Sequence, residues 1–234
     1  MKTTLLILTL NEIDGLQAVM PRIALNWVDQ ILIVDGGSTD GTQEWARAQG
    51  YCVYQQKERG LWMAYLEAWP QFSGDVVITF SPDGNSIPEL IPPLIAKMRE
   101  GFDMVIVSRY LPPAKSVDDS WLTGFGNWMF TTIINLLYGG HLTDAMVMYR
   151  AYKTSLCTSL EMDKPDAYVT PQQLFHTRIG WEPLLTVRAL KRGLKIGEIS
   201  GDEPARIGGK AKLQMWRWGA SYLFQVIREL FWWR

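Results

Sequence analysis

The chain has 234 residues, 47% of them hydrophobic and 20% charged, with a net charge of −1. Its length suits one large α/β unit, and the near-neutral balance argues against a nucleic-acid partner. Cys52 and Cys157 share no motif spacing, so neither a disulfide framework nor a zinc site is expected and a reducing compartment fits.

In chain order, residues 4–8 form an apolar run that enters a strand at once. Lys2 precedes it, but no long apolar segment with a small-residue cleavage site does, which points to the cytoplasm. Ile13, Leu16, Val19, Met20 and Ile23 then recur at helical spacing. Residues 30–34 read as a second buried strand, and Asp40 as the N-cap of a helix containing Trp45 and Ala46. A short strand over 51–54, a helix over 61–69 and a strand over 76–80 follow. Ser86 with Glu89 reads as a capping box for a helix through Met98, and 104–107 as the next strand. This alternation predicts a parallel sheet with right-handed crossovers. Residues 111–119 are the clearest loop.

Three of these strands run into polar clusters: Thr9-Leu10-Asn11-Glu12, Asp35-Gly36-Gly37-Ser38-Thr39-Asp40-Gly41-Thr42 and Ser81-Pro82-Asp83-Gly84-Asn85. Ligands of an open parallel sheet bind beyond the carboxyl ends of its strands, so Glu12, Asp35 and Asp83 gather at one edge. Carboxylates there suit ribose hydroxyls, a base edge and a hard metal ion carrying a diphosphate. Asp83 and Asn85, two apart on a turn, can face one Mg²⁺ or Mn²⁺, which neutralises a diphosphate leaving group. The same residues also make ordinary turns, and both readings stand on turn chemistry alone. No G-x-G-x-x-G follows the first strand and no Walker loop is present, which disfavours a dinucleotide cofactor.

These segments carry a resemblance, in order, over residues 3–213. Thr9-Leu10-Asn11-Glu12 is similar to a "-YNE" opening, Asp35 through Thr42 to "VDD-S-DGT", and Ser81 through Asn85 to Asp-x-Asp-x-Gln. Val107-Ser108-Arg109 is similar to "GSR", Leu142-Thr143-Asp144 with Tyr149-Arg150-Ala151-Tyr152 to "SD…FRAY", and Arg206 through Leu213 to "R-x-x-G-x-S-K-L". The chain resembles inverting glycosyltransferases of family 2, in particular the dolichol- or polyprenol-phosphate mannose synthases. The resemblance implies a GT-A (Rossmann-like), mostly parallel sheet flanked by helices and a nucleoside-diphosphate-sugar donor. It implies nucleotide binding by Thr9, Asn11, Glu12, Asp35 and Asp83, and a metal held by Asp83 and Asn85. Two departures stand out. Ser81 replaces the first Asp of the metal motif, and a hydroxyl is a poorer ligand for a hard cation. Glu182 stands where a Gln is expected and Leu184 where an acid is, so the acceptor pocket departs from that of an ordinary mannose synthase.

The acceptor decides the chemistry. A lipid phosphate is already anionic and needs cations, for which Arg109, Arg206, Lys210 and Lys212 are suited. Gly208-Gly209 gives the Arg206 loop freedom to close over the donor. A sugar hydroxyl needs a carboxylate base, for which Asp144 is the first candidate and Glu182 the second. A solvated face for the cations and a cap or salt bridge for Asp144 are the bland alternatives. His141 and His176 are isolated and receive no role.

Residues 121–140 carry no charge, enough to raise the possibility of a membrane span. Asn127, Thr131 and Asn135 share one helical stripe, however, which favours a surface or interfacial helix near the acceptor site. Over 213–234, Gln214, Arg217, Ser221, Gln225 and Arg228 make a narrow polar stripe on an otherwise apolar, tryptophan-rich helix. Tryptophan beside arginine suits a lipid interface, and packing on the domain or on a second subunit is the alternative. The expected organisation is a GT-A domain over 1–212 and an amphipathic C-terminal helix over 213–234, interfacial or oligomer-packing. The expected function is metal-dependent, inverting transfer of a sugar to a polyprenyl phosphate or lipid-linked acceptor, by a cytoplasmic protein peripheral at the inner face of a membrane. A homo-oligomer is an option. A soluble transferase acting on a glycan hydroxyl, and a weakly active nucleotide-sugar-binding subunit of a membrane complex, are the alternatives.

Overall fold

The computed structural model describes residues 1–208 and 215–233. The strands are β1 (Thr3–Thr9), β2 (Gln30–Asp35), β3 (Cys52–Gln55), β4 (Val76–Phe80), β5 (Met104–Ser108), β6 (Arg150–Lys153) and β7 (Ile196–Ser200). They form one sheet in the order β3-β2-β1-β4-β6-β5-β7. Every pair is parallel except those of β6, which runs antiparallel between β4 and β5. β4 and β5 are buried along their whole length, which is why their sequences are near-continuous apolar runs. One apolar layer packs Leu5, Ile7, Ile33 and Phe80 under α1 (Ile13–Val19) and α4 (Ile91–Arg99). The other packs Leu6, Val34, Val77 and Ile106 with α3 (Leu61–Ala68), α5 (Trp121–Tyr138), α7 (Asp166–Phe175) and α8 (Glu182–Lys191).

Some boundaries differ from expectation for physical reasons. The first helix stops at Val19 because Pro21 follows, and Met20–Arg22 is a 3₁₀ turn. Ser86 and Glu89 do not form a capping box. The chain instead enters a 3₁₀ turn at Pro88–Leu90 with Ile87 as its N-cap, and the α-helix starts only at Ile91, so Ser86 and Glu89 are not at the N-cap and N3 positions. Ser86 Oγ accepts instead from the Ser81 N–H, and Glu89 pairs with Arg22. A capping box does open α5, where Ser120 and Thr123 exchange hydrogen bonds. The Thr42–Ala48 helix begins at Gly41, and Asp40 bonds the Thr42 N–H at 3.0 Å from one residue further out.

The polar stripe of α5 faces inward. Asn135 holds both the N–H and the carbonyl of Leu142, Thr131 Oγ1 accepts from the Ala145 N–H, and Asn127 meets Arg109. Its outer side shows Trp121, Phe125, Trp128 and Leu136 to solvent. The C-terminal helix α9 (Met215–Trp232) is built the same way and packs on α5, α7 and α8. Ser221, Gln225 and Glu229 are buried, while Trp216, Phe231 and Trp232 are 82%, 75% and 74% exposed. A buried ion pair, Arg188 Nε to Glu229 at 2.8 Å, fastens α9 to α8, with Trp233 against the Arg188 and Arg192 guanidiniums. Among the described residues no helix is long and apolar enough to cross a membrane.

Candidate active site

Registers Thr9↔Asp35 and Ile7↔Phe80 bring the ends of β1, β2 and β4 level, so the three polar clusters meet at one edge of the sheet. Asp35 is fully buried there. Its Oδ1 accepts from the N–H groups of Gly37 and Ser38 and from Gln43 Nε2, and its Oδ2 from Thr9 Oγ1 and Ser38 Oγ. Five donors saturate the carboxylate, which thereby shapes the turn over 36–42. Asn11 sits at φ +55°, its N–H on Ser38 Oγ and its Oδ1 under the Thr39 N–H. The Glu12 N–H reaches Thr42 Oγ1 at 3.1 Å. Thr9, Asn11 and Glu12 thus stitch the first strand end to the turn.

The Ser81–Asn85 segment is held from two sides. A Cβ on Gly15 of α1 would lie 2.3 Å from the Pro82 carbonyl, so only glycine lets α1 approach this closely. On the other side Ile207 leans on Gly84, and its N–H bonds the Asp83 carbonyl at 2.7 Å. Asp83 is 5% exposed. Its Oδ1 accepts from the Asn85 N–H at 3.1 Å, and its Oδ2 pairs with Arg206 Nη1 at 2.7 Å. Asn85 Nδ2 donates to Asp118 at 2.9 Å, whereas Asn85 Oδ1 is buried with no partner among the described residues. That orphaned oxygen beside a buried carboxylate fits a hard cation. No three His, Cys, Asp or Glu side chains converge to hold a metal among the described residues. Asp83 and Asn85 would therefore supply only part of the coordination of such an ion, as is usual for Mg²⁺ sites.

Arg109, at the end of β5, is spoken for. Its guanidinium forks onto Asp144, Nε to Oδ2 at 2.7 Å and Nη2 to Oδ1 at 3.2 Å, and its Nη1 meets Glu203 at 3.2 Å. Burial works against that charge, but Asp144 and Glu203 hold the guanidinium's pKa above its ordinary value. Burial likewise raises Glu203, against the pull of Arg109. Asp144 is fully buried, and its oxygens also accept from the Met146 and Val147 N–H groups. Glu182 is buried and takes the Tyr65 hydroxyl proton donor. Lys210 and Lys212 lie outside the described residues.

Asp83, Asn85, Arg109 and Arg206 floor one cleft of about 450 Å³. Its far walls are apolar: Leu122, Gly126 and Phe130 from α5 and Trp218, Gly219 and Tyr222 from α9. Asp118, Asp119, Glu182, Asp202 and Glu203 also line it, so its floor is acid-rich. Sequence reasoning missed Asp118 and Glu203. Asp118-Asp119 in the Pro-containing loop, and an acid three residues before Arg206, were the available signals.

Residues 4–160, more than half of the chain, match Glycosyl transferase family 2. The chain belongs to glycosyl transferase family 2. Among curated relatives of this family 2 chain, the undecaprenyl-phosphate mannosyltransferase of Micrococcus luteus is 26% identical, over 97% of this chain and 98% of that protein. The polyprenol monophosphomannose synthase of Mycolicibacterium smegmatis is 27% identical, over 85% of this chain and 76% of that protein. A solved structure of glucosyl-3-phosphoglycerate synthase from Mycobacterium tuberculosis with Mn²⁺, uridine diphosphate and glucosyl-3-phosphoglycerate superposes with a TM-score of 0.68. That pair is 23% identical, and the match covers 98% of this chain and 78% of that one. The likeness establishes the GT-A fold, a mostly parallel sheet flanked by helices.

Proposed function

We propose that this family 2 protein transfers a sugar, with inversion, from a nucleoside-diphosphate sugar to a polyprenyl phosphate at a membrane surface. The observation that carries the reading is the cleft itself. Its acid-rich floor suits a divalent ion that would carry a diphosphate in, with Arg109 and Arg206 among the acids to meet phosphate oxygens, and its apolar walls rise to two helices whose outer faces are apolar. The names of the M. luteus and M. smegmatis relatives, with lipid-phosphate acceptors, support the same acceptor class.

In this reading the turn over 36–42, shaped by Asp35 and stitched to Thr9, Asn11 and Glu12, receives the nucleoside. Asp83 and Asn85 would hold the metal, which supplies charge neutralisation at the leaving diphosphate. The relative structure bound to Mn²⁺ and uridine diphosphate supports a divalent ion. An acceptor phosphate oxygen forms the new bond to the sugar's anomeric carbon, the bond from that carbon to the diphosphate breaks, and the nucleoside diphosphate leaves with the electron pair. No proton needs to move. This suits a site where Asp144 is saturated by Arg109 and backbone N–H groups. Asp144 then positions Arg109 at the cleft floor, and Arg206 with Lys212 meets phosphate.

The acceptor class is read from an order of effects. Arg206→Ala and Lys212→Ala are expected to cut transfer to a lipid phosphate more than Asp144→Asn does. A loss of ~10²–10⁴-fold confined to Asp144→Asn, the size of a general base, would instead assign a hydroxyl acceptor. Measuring kcat/KM for the three variants with one polyprenyl phosphate decides between them.

A further inference from the structure

Resting on that reading of the Asp83 site, we propose that Arg206 is the resident counter-ion of Asp83, released only when a metal–diphosphate complex takes over the carboxylate. A bare divalent ion is thereby disfavoured, and metal and donor are taken up together.

The geometry is specific. Arg206 Nη1 lies 2.7 Å from Asp83 Oδ2, with the two side chains 24% and 8% exposed. The backbone around it is anchored: Ile207 N–H on the Asp83 carbonyl at 2.7 Å, and Arg206 N–H facing Asp118 Oδ1 at 3.4 Å. The guanidinium is thus placed on the carboxylate by its own segment rather than by a chance rotamer. Ser81 gives this its force. With a hydroxyl where a second carboxylate is expected, one guanidinium neutralises Asp83, and a bare cation meets no net charge from the pair.

Two polar atoms flanking the pair remain unsatisfied, and they are of opposite kind. Asn85 Oδ1 is a buried acceptor and Arg206 Nε a buried donor, neither with a partner among the described residues. Buried polar groups left unpaired cost free energy, and at this cleft a ligand can supply the missing partners. A cation alone would satisfy Asn85 but strand Arg206 beside like charge. An anion alone would satisfy Arg206 but leave Asp83 facing like charge. A metal–diphosphate complex answers both at once: Asp83 and Asn85 turn to the cation, and Arg206 turns to a phosphate oxygen.

The test is Mn²⁺ binding to the full chain by calorimetry, with and without UDP or GDP, for the native protein, Arg206→Gln, Arg206→Lys and Asp83→Asn. Folding of each variant is checked by thermal unfolding. Removing the positive charge is expected to tighten bare Mn²⁺ roughly tenfold, the scale of one neighbouring charge. The same Arg206→Gln substitution is expected to weaken Mn²⁺ with nucleotide, so the sign reverses. Arg206→Lys keeps bare-ion affinity near native. An Arg206→Gln protein whose bare-Mn²⁺ affinity is unchanged or lower overturns the proposal. Native Mn²⁺ binding retained in Asp83→Asn overturns the site reading beneath it, whatever Arg206 does. Absence of Mn²⁺ binding in every form overturns both.

Discussion

Asp83→Ala is expected to abolish sugar transfer while leaving the protein folded. Asp83 is the one carboxylate of the Ser81–Asn85 turn, and its Oδ2 already holds a cation, Arg206, at 2.7 Å. A metal at a leaving diphosphate contributes several kcal/mol of transition-state stabilisation, so its loss costs on the order of 10³-fold or more in rate. The fold survives because the side chain lies at the sheet edge, outside both apolar layers. Its departure frees an Arg206 that is partly exposed and can be hydrated. Turnover with saturating Mn²⁺ and the thermal midpoint are measured together. Near-native turnover in Asp83→Ala removes Asp83 from the donor site, whereas a collapsed midpoint would make it a structural residue.

The second large effect concerns the outer faces of α5 and α9. The native chain is expected to sediment with anionic vesicles, and Trp128→Glu combined with Phe231→Glu to stay in the supernatant. Both side chains are exposed, at 61% and 75%, so the fold tolerates the change. Burying a large aromatic side chain is worth about 1.5–3 kcal/mol. Losing two such groups therefore lowers partitioning by roughly 10²-fold or more, before the cost of the added charges. Arg217 adds about 1 kcal/mol near an anionic surface, so salt weakens binding without removing it. Truncation before α9 is the poorer test, because Tyr222, Val226 and Trp233 are part of the core and their loss destabilises the domain. Equal sedimentation of native and substituted protein would assign the two faces to something other than lipid.

The sheet edge that carries the three polar clusters was legible because it depends on local order in the chain. Apolar runs of four or five residues marked β1, β2 and β4, and the polar residues directly after them fell at the same end by parallel register. The chain beyond β5 was harder. β6 is antiparallel, only four residues long, and carries a fully buried Arg150 that bonds the carbonyls of Ala145 and Glu182. A four-residue strand with Arg150 at its start and Lys153 at its end is hidden from any apolar pattern. β7 holds Gly197 and Glu198, the latter raised in pKa by burial although Thr143 and Asp144 N–H groups bind it.

The same limit applied to the helices. Periodicity found the polar stripes of α5 and α9, but it does not say which side faces the protein. Asn127, Thr131, Asn135, Gln225 and Glu229 turn inward because the neighbouring loops and helices offer carbonyls, N–H groups, Arg109 and Arg188 to bond, while Ser221 Oγ is buried with no partner among the described residues. Arg109 shows the corresponding limit for charges. A motif arginine read as a free phosphate ligand is committed to Asp144 and Glu203, acids 35 and 94 residues away.

The reaction proposed for this protein is sugar transfer to a lipid phosphate. It is tested most directly by incubating the full chain with Mn²⁺, nucleoside-diphosphate sugars and vesicles containing a polyprenyl phosphate, then identifying the product by mass. The expected product is a polyprenyl phosphate heavier by one sugar residue, formed with one equivalent of nucleoside diphosphate and absent with the unphosphorylated polyprenol. Sugar recovered on a glycan hydroxyl, or nucleotide-sugar bound without turnover on any phospholipid acceptor, would contradict it.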